Sequence, residues 1–296
     1  MPDAQLNGIR IHYDTLGDVG AEPLLLVMGL GAQMIQWRPE LCQRLADAGH
    51  RVIRFDNRDV GLSTRFDTAG TPDMATLYAR AAAGDAFEVP YTLDDMAADG
   101  FALLDHLGIG TAHLCGASMG GAIVQCMAIN QPQRVRSLTS IMATTGNPTL
   151  PPATPEAMAA LMLPPAADAE AAAERALAVS RVIGSPGLPQ DEDDIRARGR
   201  EAFLRANYPA GVVRQMAAIA VSGNRFDALT KLTVPSLVIH GVDDPLVNVA
   251  GGLDTHAALS AGGDAKLELI DGLGHDLPRA VWPHIVKAIA QRTGVA

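Results

Sequence analysis

The sequence predicts an α/β fold: a mostly parallel sheet with helices on both faces and a helical insertion near its middle. Three observations predict it. Short apolar runs alternate with amphipathic stretches from Ile9 to Ala143. The alternation resumes at Ser236 and continues to the last helix, and the stretch between the two blocks has a different composition.

Taken in order, Ile9 to Tyr13 reads as an extended segment and Leu24 to Met28 as a buried strand ending at Gly29 and Gly31. A helix follows with Leu41 and Leu45 on one face, closed by Gly49. Arg51 to Phe55 is the next strand. Thr92 with Asp95 three residues on forms a helix start, with Leu93, Met96, Ala97, Leu104 and Leu107 facing inward. Ala112 to Cys115 is a strand, Ala122 to Ile129 a helix and Val135 to Ala143 a strand. After the insertion come a strand over Ser236 to His240, a helix around Leu253 to Leu259, a strand over Leu267 to Ile270 and a last helix through Val286 and Ile289.

The insertion, residues 147–232, separates core segments 1–146 and 233–296. It is rich in Ala, Pro, Met and charge. Thr154-Pro155-Glu156 is a helix start, and further helical stretches fit Ala169 to Val182, Asp194 to Ala206 and Gly211 to Val221. Lying over the sheet, it is expected to act as a lid and to supply much of the substrate pocket. Met158, Leu161, Met162 and Met216 are candidate lining residues there, set against the plainer reading of a buried helix face. Trp37, after the first long strand, either touches substrate or packs.

The bulk numbers exclude several classes. The chain has 296 residues, 48% hydrophobic and 19% charged, enough for a large core and too apolar for disorder. A net charge of −10 argues against nucleic acid and anionic membrane as partners. The longest apolar run, Leu24 to Leu30, is too short to span a bilayer, and the first ten residues do not form a signal peptide. Cys42, Cys115 and Cys126 lack disulfide or metal spacing and read as small core residues in a reducing compartment. A soluble cytoplasmic protein is expected. No metal or dinucleotide motif is present, so no cofactor is expected.

Gly116-Ala117-Ser118-Met119-Gly120 fits G-x-S-x-G, a weak match alone that gains force from its setting, a strand running in and a helix leaving. A serine on such a sharp turn is strained, and bulky flanks would clash. A hydroxyl nucleophile needs a base, and the base an orienting acid. Of the eight histidines, only His275 follows the last strand in a glycine-rich loop, Gly272-Leu273-Gly274-His275, whereas His240 sits inside a strand and packs. Asp243 or Asp244, just past the strand ending at His240, supplies the acid. The order Ser, Asp, His is the one this type of sheet uses. The Met119 amide and an amide from Met28-Gly29-Leu30-Gly31, with Leu30 N–H the candidate, would hold an oxyanion.

With these residues assembled, the chain resembles the α/β-hydrolase superfamily over nearly its whole length. Gly116 to Gly121 is similar to the family's nucleophile elbow, Gly274-His275 to its histidine loop, and Asp244, three residues after Gly241, stands at its usual acid position. Asp56-Asn57-Arg58-Asp59-Val60-Gly61-Leu62-Ser63 resembles the loop after the next strand, with Asp59 where glycine is usual. That D-x-R-D-x-G-x-S form, and Met28-Gly29 in place of His-Gly, resemble the aclacinomycin methylesterase-like esterases. The resemblance implies an eight-stranded sheet and a serine carboxylesterase acting on a small-to-medium apolar ester through Ser118, His275 and Asp244. Lactone opening, C–C cleavage and perhydrolysis use the same constellation, and a slow-turnover ligand receptor on the same fold is the reading from another class.

Overall fold

The computed structural model describes residues 2–83 and 87–295. Eight strands form one sheet: β1 (Asp3–Leu6), β2 (Ile9–Leu16), β3 (Glu22–Val27), β4 (His50–Phe55), β5 (Ala112–Ala117), β6 (Val135–Ile141), β7 (Ser236–Gly241) and β8 (Ala265–Ile270). They lie in the order β1-β2-β4-β3-β5-β6-β7-β8. The pairings β1/β2 and β2/β4 are antiparallel and all others are parallel. The sheet is thus the predicted one, with strands within a few residues of expectation.

Two elements before β5 add to the sequence reading. β1 pairs with β2 through the two-residue turn Asn7-Gly8, both at positive φ (51° and 77°), the turn that Asn-Gly favours in tight hairpins. Helix α2 (Met74–Ala83) follows α1 (Pro39–Asp47) on the way to β5.

The remaining core helices are α3 (Leu93–His106) and α4 (Met119–Asn130), followed after the insertion by α10 (Val249–Gly262) and α11 (Trp282–Thr293). α3 begins in the expected capping box: Asp95 N–H donates to the Thr92 hydroxyl, while the Asp95 carboxylate accepts from Thr92 N–H at 2.7 Å. Alternation along the strands sorts the apolar residues into two layers. Leu25 and Val27 of β3 face α3 and α4, packing with Leu104, Ile123 and Met127. Leu24 and Leu26 face the other way, with Leu41, Leu45, Ile285 and Ile289 of α1 and α11. Each of these leucines contributes about 1.5–3 kcal/mol by leaving water. Trp37 is buried in this second layer, which resolves its reading in favour of packing.

Between β6 and β7 the chain forms α5 (Pro155–Leu161), α6 (Ala169–Ile183), α7 (Glu192–Arg205), α8 (Pro209–Val221) and α9 (Phe226–Leu229). α6 and α7 approach closely because Gly199 carries no side chain; a Cβ there would stand 2.7 Å from the Ala176 Cβ. The Arg196–Glu174 and Arg200–Glu170 pairs tie them at 2.8 and 2.6 Å. Among the described residues no helix is long and apolar enough to cross a membrane.

Candidate active site

The site lies at the C-terminal edge of the parallel strands, where the chain leaves β3, β5, β7 and β8. Ser118 sits between β5 and α4 with φ 56° and ψ −124°, a conformation non-glycine residues rarely adopt. Its N–H donates to Ile141 O at 2.9 Å, and its carbonyl accepts from Gly121 N–H at 2.8 Å. The flanking glycines are sterically required. A Cβ at Gly116 would strike the Gly120 carbonyl, and one at Gly120 would strike the Val27 carbonyl. Ser118 therefore stands at the N-terminus of α4, where the helix dipole favours negative charge.

His275 follows β8. Its Nε2 is 2.9 Å from Ser118 Oγ, and its Nδ1 is 2.7 Å from Asp244 Oδ2. With the proton on Nδ1, donated to the carboxylate, Nε2 is left as acceptor for the serine hydroxyl. Asp244 is buried, and its other oxygen accepts from the Leu246 and Val247 amides at 2.9 and 2.8 Å, which fixes the carboxylate. The neighbouring Asp243 is exposed and accepts instead from Gly272 N–H at 2.8 Å, so the geometry separates the two aspartates that sequence left side by side. His240 packs in β7 as expected, but it also stands 3.6 Å from Asp244 Oδ2. Burial holds its imidazole below the usual histidine range, so it stays neutral behind the acid.

The loop after β3 lies against the serine. A Cβ at Gly29 would be 3.0 Å from Ser118 Cβ and 3.5 Å from its Oγ. Leu30 and Met119 follow Gly29 and Ser118 directly in the chain, and neither N–H donates to an acceptor among the described residues. Asn57 Nδ2 donates to Met28 O at 2.9 Å, holding the loop from behind.

Several residues that shape the site have no motif to announce them. From α8, Arg214 pairs with Asp59, and Gln215 bridges Gly31 N–H and Arg58 O at 2.8 Å each. Asp56, buried, accepts from Met34 N–H at 2.7 Å and from Leu62 N–H at 2.9 Å, and pairs with Arg205 of α7 at 2.7 Å. The α6–α7 connection grips the histidine loop: His275 N–H donates to Ile183 O at 2.6 Å and Gly274 N–H to Ser185 Oγ at 3.1 Å. The D-x-R-D-x-G-x-S string marked Asp56 and Asp59; their partners lie far along the chain and carry no comparable signal. Of the candidate lining methionines, Met158 and Met162 are 40% and 62% exposed, so they line no enclosed pocket. α5 turns Ala157 and Ala160 inward instead. Among the described residues no three His, Cys, Asp or Glu side chains are grouped to hold a metal ion.

A sequence profile described as the alpha/beta hydrolase fold matches residues 22–278. The chain belongs to the α/β-hydrolase family. It is similar to rhodomycin D methylesterase DauP of Streptomyces sp. (strain C5), at 31% identity over 97% of this chain and 96% of that one. The methylesterase DnrP of Streptomyces peucetius matches at the same identity and coverage. Among solved α/β-hydrolase structures, the enol-lactonase of Burkholderia xenovorans LB400 superposes with a TM-score of 0.74 at 22% identity, over 99% of this chain and 100% of that one, a likeness of fold.

Proposed function

We propose that this α/β-hydrolase is a serine carboxylesterase that cleaves a small-to-medium apolar ester through an acyl-enzyme. The observation that carries the reading is the unbroken line from Ser118 Oγ to His275 (2.9 Å) to the buried Asp244 carboxylate (2.7 Å). Ser118 Oγ attacks the ester carbonyl carbon while His275 Nε2 takes the hydroxyl proton. The Leu30 and Met119 amides hold the oxyanion that forms. As the tetrahedral intermediate collapses, the C–O bond to the alcohol breaks and His275 returns its proton to the leaving oxygen. A water, deprotonated by His275, then attacks the acyl carbon, and Ser118 leaves reprotonated with the carboxylic acid released. Asp244 stays ionised throughout and stabilises the imidazolium.

Residues 147–232 form the lid in this reading, joined to the catalytic loops by Arg214, Gln215 and the α6–α7 connection. The substrate is a small molecule, and the methylesterase relatives make a methyl ester the first to offer. A cytoplasmic setting fits three buried, unpaired cysteines; burial pushes the Cys42 thiol up to about 12 and leaves it unreactive.

The test is turnover of p-nitrophenyl acetate, p-nitrophenyl butyrate, an aryl methyl ester and a γ-lactone by wild type and Ser118→Ala. Sustained ester hydrolysis that falls by several orders of magnitude in Ser118→Ala supports the reading. Turnover of the lactone alone would replace it with lactone opening by the same residues. Turnover that survives Ser118→Ala would overturn it.

A further inference from the structure

The loop that follows β3 contains a turn, Gly29-Leu30-Gly31-Ala32, closed by Ala32 N–H donating to Gly29 O at 3.2 Å. Gly31 has φ +64° and Leu30 does not have positive φ, the pattern of a type II turn. Types I and II differ by a half-rotation of the central peptide, here the one joining Leu30 to Gly31. That rotation exchanges the sides on which the Leu30 carbonyl and the Gly31 N–H lie, while the Leu30 N–H belongs to the preceding peptide.

The central peptide is held from outside the turn. Gln215 Oε1 accepts from Gly31 N–H at 2.8 Å, across 184 residues of chain. The Gln215 side chain is fully buried, and its Nε2 donates to Arg58 O at 2.8 Å, so both ends of the amide are committed and it cannot swing away. α8 is itself seated tightly. Gly211 lies so close to Asp59 that a Cβ would strike the Asp59 carbonyl, and Arg214 pairs with the Asp59 carboxylate. Val212 covers Gly31, where an added Cβ would stand 2.9 Å from Val212 Cγ2.

We infer that Gln215 is a positioning residue for the oxyanion loop: by accepting the Gly31 N–H it anchors to α8 the type II turn on which the Leu30 N–H is carried. The inference rests on the serine-esterase reading above and assigns the insertion a part in transition-state binding. Without that acceptor the Leu30–Gly31 peptide can turn over and the loop that carries the Leu30 N–H loses its tie to α8, so the donor is no longer held in place. Ground-state binding of the ester does not depend on that donor, whereas the tetrahedral intermediate does.

The experiment compares wild type, Gln215→Met and Gln215→Glu in steady-state ester hydrolysis and in binding of a trifluoromethyl ketone, which Ser118 converts to a tetrahedral oxyanion adduct. Gln215→Met removes the acceptor at similar volume. It should lower kcat on the order of ten- to a hundredfold, with KM within about threefold, and weaken trifluoromethyl ketone binding by the same factor as kcat. Gln215→Glu retains the acceptor for Gly31 N–H but loses the Nε2 donor to Arg58 O, and should recover a part of both losses. A readout on wild type guards against a variant that does not fold. The Gly31 amide should exchange slowly with solvent in free protein, and the Leu30 amide should become protected only on forming the adduct. Equal kcat and ketone affinity in Gln215→Met, or fast exchange at Gly31 in wild type, would overturn the assignment while leaving the esterase reading intact. A wild type that neither hydrolyses esters nor binds the ketone would remove the esterase reading itself, and this assignment with it.

Discussion

Arg214 reaches back 155 residues to close on both oxygens of the Asp59 carboxylate, Nε to Oδ2 at 2.7 Å and Nη2 to Oδ1 at 2.9 Å. Both residues are 1% exposed. The guanidinium is filled further by Gly70 O at 2.7 Å and the Tyr208 hydroxyl at 2.5 Å, and Asp59 Oδ1 also accepts from Phe66 N–H at 2.8 Å. Asp59 holds φ +66°, a left-handed conformation, at the position where the resembling loops carry glycine. An aspartate tolerates that conformation better than most residues, and here the carboxylate gives α8 its anchor. The departure from the usual loop sequence and the buried arginine in the insertion therefore explain each other.

Breaking the pair from one side should cost far more than removing it. Asp59→Asn and Arg214→Met each leave a buried group without its counter-charge, a loss of about 3–5 kcal/mol. The double variant Asp59→Gly/Arg214→Met removes both charges and relieves the left-handed strain, so it should regain a large part of that loss. Urea unfolding of the three variants checks this. Single variants within about 1 kcal/mol of wild type would mean the pair does not anchor α8.

The two adjacent aspartates should separate cleanly in kinetics. Asp244→Asn deprives His275 Nδ1 of its acceptor and should lower kcat on the order of 10⁴-fold. Asp243→Asn affects only a surface contact to the Gly272 amide and should stay within a few fold of wild type. The reverse ranking in ester hydrolysis would refute the acid assignment.

A pH dependence of stability follows from His113, which lies buried in β5 with Nδ1 2.7 Å from Ser137 Oγ. Burial first, then the Arg136 charge and the neighbouring His50, push its imidazole from 6.5 down to about 4. Its folded value is the lower one, so the unfolded chain takes up the proton first as pH falls. The stabilisation is whole above pH 6.5, drains away between there and about pH 4, and is gone below. Between about pH 7 and pH 4.5 wild type should lose about 2 kcal/mol more than His113→Gln. Urea midpoints at the two pH values measure the difference, and parallel losses in both proteins would contradict it.

The sheet was legible because strands and helices differ in period, and because buried parallel strands such as Leu24-Leu25-Leu26-Val27 are apolar on both faces. β1 escaped that reading: Asp3-Ala4-Gln5-Leu6 is too polar to register as a strand, although Asn7-Gly8 carried the hairpin signal. α2 escaped as well, although Asp73 stands directly before it and caps it, accepting from Ala75 N–H at 3.1 Å. In the site, Ser118 and His275 were legible because each sits in a glycine-rich loop immediately after a strand, and Asp244 because it stands at a fixed step from Gly241. Gln215, Arg214 and Arg205 were not. Each lies on an amphipathic helix where a polar residue reads as solvent-facing, and only tertiary packing turns it inward to a partner more than a hundred residues away. Met158 and Met162 failed for the converse reason: helical spacing marks an apolar face without saying that anything covers it.

The most direct test of the central claim is where a fluorophosphonate attaches. The reagent phosphonylates an activated serine oxygen with loss of fluoride, and peptide mapping by mass spectrometry locates the adduct. One adduct per chain is expected, on Ser118, formed faster in wild type than in Asp244→Asn and absent from Ser118→Ala. No adduct on wild type, or an adduct that persists in Ser118→Ala, would contradict Ser118 as the nucleophile.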